Sequence, residues 1–254
     1  MVAGLAFLAT AIATLFAQAT GVRWSKTKAT HEGVWTFALA LFALASAALS
    51  VGVSTQWDNG TFRVFYLLGA ILNVPWLALG TIYLLFGKPL GNKVRYVLLV
   101  FTGLAIGVML TAPIHPPIAP TSAIPVGKDH FGVFPRVLAA VASGVGALVV
   151  FAGAAWSSWK FARKRTPGSG SLAGGNALIA LGTLILASGG LLQGVVGADE
   201  SFTISLAAGI AVIYAGFVVC SGARLARDGS SRRTSLPASV RGNVSTTSTR
   251  VGSL

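Results

Sequence analysis

Seven runs of about 20 mostly apolar residues leave this chain few ways to fold. They fall at roughly 2–22, 34–54, 64–86, 96–113, 137–158, 176–197 and 202–224. A helix needs about 20 residues to cross a ~30 Å hydrocarbon core. Lipid offers the backbone no hydrogen-bond partners, so each run must close its own ladder. Lengths near 20 suit helices rather than the roughly 10-residue strands of a barrel. With 54% hydrophobic and only 10% charged residues among 254, the chain lacks the polar surface of a soluble domain of this length. The expected fold class is all-α: a polytopic membrane protein with seven transmembrane helices in a bundle over residues 1–225. The remainder, 226–254, is basic, Ser/Thr-rich and poor in apolar residues, and is expected to be a disordered cytoplasmic tail.

The basic residues set the expected orientation. Arg23, Lys26 and Lys28 follow the first run, Lys88, Lys93 and Arg95 the third, and Lys160, Arg163, Lys164 and Arg165 the fifth; Arg224 ends the seventh and five more arginines lie after it. The alternate segments hold only Arg63, Lys128 and Arg136, beside Asp58, Asp129, Asp199 and Glu200. By the positive-inside rule the N-terminus is outside and the C-terminus cytoplasmic. The net charge of +13 then reflects orientation and attraction to a lipid bilayer with anionic inner-leaflet lipids, not nucleic acid. Ala17-Gln18-Ala19 has signal-peptidase spacing, but no basic region precedes it, so the first run is expected to remain as a span.

What is missing narrows the chemistry. All six acids and every lysine lie outside the seven runs, whereas ion-coupled pumps and proton relays place ionisable groups within the membrane. His31, His115 and His130 lie in connecting segments, so no pair clamps a haem between spans. No nucleophile with its base, phosphate-cradling loop or carboxylate pair is legible; catalytic and metal-ligating residues and cofactors are assigned none, and nothing positive favours an enzyme. Gly103-x-x-x-Gly107 and Gly190-x-x-x-Gly194 have the spacing that brings helices close in lipid. The outer segment IHPPIAPTSAIPVGKDHFGVFP is stiffened by prolines, and serves either as a lid over the bundle or as a plain connector.

The third run carries the candidate site. Tyr66, Gly69, Asn73, Trp76, Gly80 and Tyr83 are spaced three or four apart and form one helix face. Leucines including Leu72 and Leu79 flank it and are expected to supply lipid-facing surface. Asn73 and Trp76 fall near mid-membrane. Pro75 lacks the N–H for the carbonyl of Ile71, so the helix should kink there. Gln193, Ser188 and Tyr214 are candidate partners for the Asn73 amide. A ligand-binding set of Asn73, Trp76, Tyr66, Tyr83, Gln193 and Tyr214 follows, with an interhelical hydrogen bond beside a kink as the competing structural reading.

Shifting the chain by 140 residues sets Leu44 on Leu184, Ala47 on Ala187, Phe62 on Phe202 and Gly69 on Gly209, as a 3+1+3 parallel repeat would. The runs FRVFYLLGAILNVPWLALGTIYLL, HEGVWTFALALFALASAALS, PRVLAAVASGVGALVVFAGAAWS and NALIALGTLILASGGLLQGVVG resemble a family of uncharacterised seven-span membrane proteins of actinobacteria. The resemblance implies a bacterial cell (cytoplasmic) membrane and no particular activity. Two functions stay open. One is a transporter or receptor-like bundle for a neutral or lipophilic small molecule. The other is a structural or assembly subunit that packs against a membrane-protein partner or its own copies.

Overall fold

The computed structural model describes residues 1–118, 121, 123–164, 166, 168–196 and 198–235. These residues are helical almost throughout: α1 Val2–Thr27, α2 Thr30–Thr55, α3 Asn59–Phe65, a π-helical segment Tyr66–Leu72, α4 Asn73–Thr111, α5 Gly127–His130, α6 Val133–Ala162, α7 Ser169–Val196 and α8 Asp199–Ser235. Among the described residues, six helical elements are long and apolar enough to cross a membrane. The third and fourth runs arrive as one element, Asn59–Thr111.

That element is nonetheless a hairpin. In a straight helix Trp76 and Thr102 would lie about 39 Å apart, yet the Trp76 indole N–H donates to the Thr102 hydroxyl at 3.2 Å. The Arg63 guanidinium likewise donates to the carbonyls of Met109 and, at 2.7 Å, Ala112, meeting orphan acceptors at the helix's C-terminal end. The reversal is at Gly87, where φ is 79° and ψ is −173°, a conformation that only glycine adopts without strain. Pro89 follows in the first turn of the returning arm, where its missing N–H costs little. The Tyr83 hydroxyl closes the hairpin by donating to Asn92 Oδ1 at 2.8 Å.

The helices pack in sequence around a closed ring: α1 on α2, α2 on α4, α4 on α6, α6 on α7, α7 on α8, and α8 back on α1. Residues 73–86 form the α4 part of this ring. Trp76 meets Phe37 of α2 at 4.8 Å between ring centroids. On the other side, Gly146 and Gly153 of α6 face Val74, Pro75 and Thr81 so closely that an added Cβ would meet atoms within 3.0 Å. The returning arm, 88–111, lies outside the ring and exposes Tyr96, Val97, Val100 and Leu110.

Several sequence expectations change here. Leu72 and Leu79 are 4% and 0% exposed, in the main core beside Trp76, Ala105 and Met109. The π-helical turn adds residues to the count and rotates everything after it, and the returning arm covers the flank that a lone helix would show to lipid. No simple proline kink is needed, because the wider turn accommodates Pro75: the Asn73 N–H donates to Leu68, five residues back. Gly103, Gly107 and Gly190 meet nothing within 4 Å; the Gly194 side is outside the described residues. The close glycine packing lies between α7 and α8 instead. There a Cβ on Gly182 would stand 2.8 Å from the Gly209 carbonyl oxygen, and one on Gly175 2.8 Å from that of Gly216. The signal was a spacing of seven, Gly175, Gly182 and Gly189, rather than four. Finally, α8 runs on to Ser235, past the composition boundary at 226, while 236–254 lie outside the described residues.

Candidate functional site

The mid-span residues do not converge on a ligand-sized space. Trp76 is buried, and its N–H is taken by Thr102, whose own hydroxyl donates to the Leu98 carbonyl at 2.7 Å. Tyr83 is committed to Asn92 at the hairpin. Tyr66 lies near the end covered by the proline-rich segment, its ring tilted against Phe62 and Phe131 at 5.8 and 4.9 Å. Tyr214 packs on Phe16 of α1 at 5.1 Å, and Ser188 donates to its own helix at Ile185. Gln193 is at the same end as Tyr66, where its amide N–H donates to Asp199 at 2.9 Å. Asn73 thus meets none of its three expected partners. It is 6% exposed, and no hydrogen bond to its side chain is found among the described residues.

These contacts reverse one expectation and sharpen another. Asn73→Leu should leave the melting temperature in detergent unchanged or raised, since no bond is lost and an amide leaves an apolar site. Trp76→Phe and Thr102→Val should each cost roughly 0.6–1.7 kcal/mol, and the double variant no more than either alone. A double variant that adds the two losses would show that the indole serves something other than Thr102.

A polar cluster that the sequence reading passed over sits at the basic end of the ring. α1 and α2 are joined by a tight turn in which Lys28 has a left-handed φ of 53°. The turn brings Arg23 of α1 onto Glu32 of α2. The guanidinium makes two contacts with Glu32 Oε1, Nε at 3.0 Å and the terminal nitrogen at 2.7 Å. The Thr27 hydroxyl donates to the other carboxylate oxygen at 2.6 Å. Glu32 also occupies the first turn of α2, where the helix dipole favours an anion. Arg23 reaches onward to the Ser221 hydroxyl of α8 and lies over the Phe217 ring at 5.3 Å. Glu32 is 2% exposed, which corrects the expectation of no buried charge: α2 starts ahead of its apolar run, and the short turn draws its first residues into the bundle.

Behind this pair is a cavity of about 40 Å³, lined by Arg23, Glu32, Trp35, Leu84, Asn176, Ile179, Phe217, Cys220 and Ser221. Five ring helices, α1, α2, α4, α7 and α8, converge on it, so it lies on the ring's axis. The Asn176 amide donates to Leu172 at 2.7 Å and approaches Cys220 Sγ at 3.6 Å. Such a volume holds about one to a few waters. The hint in the sequence was an Arg and a Glu nine residues apart across a short turn; its two far-side members, Asn176 and Ser221, carried none.

The opposite end is capped by the proline-rich segment. Ile114 bridges to Phe131, and Ile114, Ile124 and Phe131 are buried. The segment is tied to the bundle at several points. Asp199 accepts from the Ile124 N–H at 2.8 Å, the Trp57 backbone N–H donates to the Thr121 carbonyl at 3.1 Å, and Lys128 donates to the Val195 carbonyl at 2.8 Å. The described part of the segment thus packs on this end of the bundle. Trp57 is 2% exposed beneath it. A shallow groove of about 390 Å³ runs along the segment past Asp129 and His130. Asp58 caps α3, and the Thr61 hydroxyl and N–H, with the Gly60 N–H, hold its carboxyl below the ordinary value despite slight desolvation.

Comparison with protein-family models, with curated proteins and with solved structures gives no match.

Proposed function

We propose that this apolar helical bundle is a multi-pass membrane protein of a bacterial cytoplasmic membrane that crosses it seven times, N-terminus outside. Its bundle serves a neutral, polar molecule on the scale of the few waters that its cavity holds, as a transporter or receptor-like protein entered from the cytoplasmic side. The observation that carries this reading is the axial cavity behind Arg23 and Glu32, where five helices meet. Because the two charges neutralise each other, the site favours a neutral guest over an ion. The 3+1+3 repeat fits the ring order. Spans one to three and five to seven occupy the ring as successive triplets, with the returning arm outside it. Gly69 faces Ala45 of the second span and Gly209 faces Leu186 of the sixth, so each glycine meets the preceding span of its own triplet, one residue apart in the register of the shift. A structural or assembly role is the second reading, supported by the filled mid-span and the open Gly103 and Gly107 face.

The chain's single cysteine, Cys220, lines the cavity and reports on both access and orientation. A small membrane-impermeant methanethiosulfonate should modify it in inside-out vesicles and not in intact cells, and faster in Glu32→Gln, whose hold on Arg23 is weaker. Modification from the outside would overturn the orientation. No modification from either side, in wild type or variant, would leave the cavity closed and favour the structural reading.

A further inference from the structure

We infer that the basic end of α6 holds one anionic glycerophospholipid in a defined position. The helix presents a single exposed lane in which Val141, Val145 and Leu148 lead to Trp156 and Trp159 and end at Arg163. The steps of three, four and eight keep these side chains on one face. Trp156 and Trp159 are 57% and 46% exposed, and their rings stand 5.1 Å apart at 36°. The Arg163 guanidinium lies over the Trp159 ring, 4.0 Å from its centroid. An arginine stacked in this way has its plane fixed while its N–H donors stay free for an anion, and its planar fork matches phosphate.

The surroundings select the charge of that anion's owner. From residue 130 to 198 the chain contains no acidic residue, and the only salt bridge among the described residues is Arg23 with Glu32. Among the described residues Arg163 therefore has no carboxylate to neutralise, and Lys160 and Lys164 beside it raise the local positive potential. The other basic-end tryptophan of comparable exposure, Trp24, differs: its cation, Lys28, stands 5.9 Å from the ring on a helix whose Arg23 already has a partner.

The lane's length selects a lipid rather than a free phosphate. From Trp156 to Val145 is roughly 16 Å along the helix, about half of a ~30 Å hydrocarbon core, so one leaflet's acyl chain fits alongside. The phosphate would sit at Arg163, the glycerol at the two indoles, and an acyl chain along Leu148, Val145 and Val141.

The test uses full-length protein purified in mild detergent, delipidated, and titrated with phosphatidylglycerol or phosphatidylcholine, with native mass spectrometry and melting temperature as readouts. Wild type should retain one phosphatidylglycerol and be stabilised by it in preference to phosphatidylcholine. Trp159→Leu and Arg163→Gln should weaken that binding by about tenfold, while Lys28→Gln should not. The variants' melting temperatures in phosphatidylcholine report whether they remain folded, and Arg163→Lys gives a second, conservative probe that keeps the charge and loses the fork. Equal stabilisation by the two lipids, retention of phosphatidylglycerol by folded Trp159→Leu and Arg163→Gln, or occupation of the lane by a co-purifying protein would overturn the proposal.

Discussion

Replacing Glu32 with Ala should lower the stability of the bundle by about 3 kcal/mol, toward the lower end of what removing one partner from a buried ion pair costs. The carboxylate is 2% exposed and accepts from Arg23 and Thr27. Without it the Arg23 guanidinium is left inside the ring with Ser221 as its remaining hydrogen-bond partner. The cost falls short of the upper range because the Arg23 side chain is 26% exposed, and water screens part of its charge. Thermal unfolding in detergent would measure it. The double variant Arg23→Leu/Glu32→Leu should recover most of the loss, because two apolar side chains then replace a desolvated pair. A double variant as unstable as Glu32→Ala would mean that the pair fixes the α1–α2 turn by its geometry rather than by charge compensation.

Adding one methyl group to Gly182 should be nearly as damaging, at roughly 1–3 kcal/mol. A Cβ there would meet the Gly209 carbonyl oxygen at 2.8 Å and the Ile213 nitrogen at 2.9 Å. These are backbone atoms that cannot swing aside, so α7 and α8 would have to separate along their length. Gly103→Ala is the internal control. Its Cβ meets nothing within 4 Å, and alanine's better helix propensity should leave stability unchanged or up to about 1 kcal/mol higher. Parallel melting curves of the two variants settle the matter. Equal losses would place a packed surface at Gly103, a face that a second copy or another membrane protein would have to cover.

The two glycine sets show why motif spacing alone misplaced the contacts. Glycines at intervals of four and of seven both fall on one helix face, so spacing identifies a smooth strip but not its neighbour. Gly175 and Gly182 meet α8 because the short α7–α8 corner lays those helices antiparallel along their whole length. Gly103 and Gly107 meet nothing because the hairpin at Gly87 turns the opposite side of the returning arm, Leu98, Ala105 and Met109, toward Trp76. Asn73 taught the same lesson in polar terms. Its place on the stripe was legible, but whether an amide finds a partner depends on which side chains three other helices bring to that depth.

What the sequence determined by itself was everything set by local length and by the backbone's need for hydrogen bonds. Runs near 20 residues without charge become helices because lipid offers the peptide groups nothing else. What only the tertiary structure decided was which way each helix faces. In water, a leucine on the wrong face is costly and its pattern records the core. In lipid, a leucine against hydrocarbon and a leucine against another helix are almost equally stable, so Leu72 and Leu79 could be buried without any mark in the sequence. The same indifference hid the ring, its axial cavity and the Arg23–Glu32 pair. These depend on how helices distant in the chain meet, and hydrophobic periodicity carries no record of that.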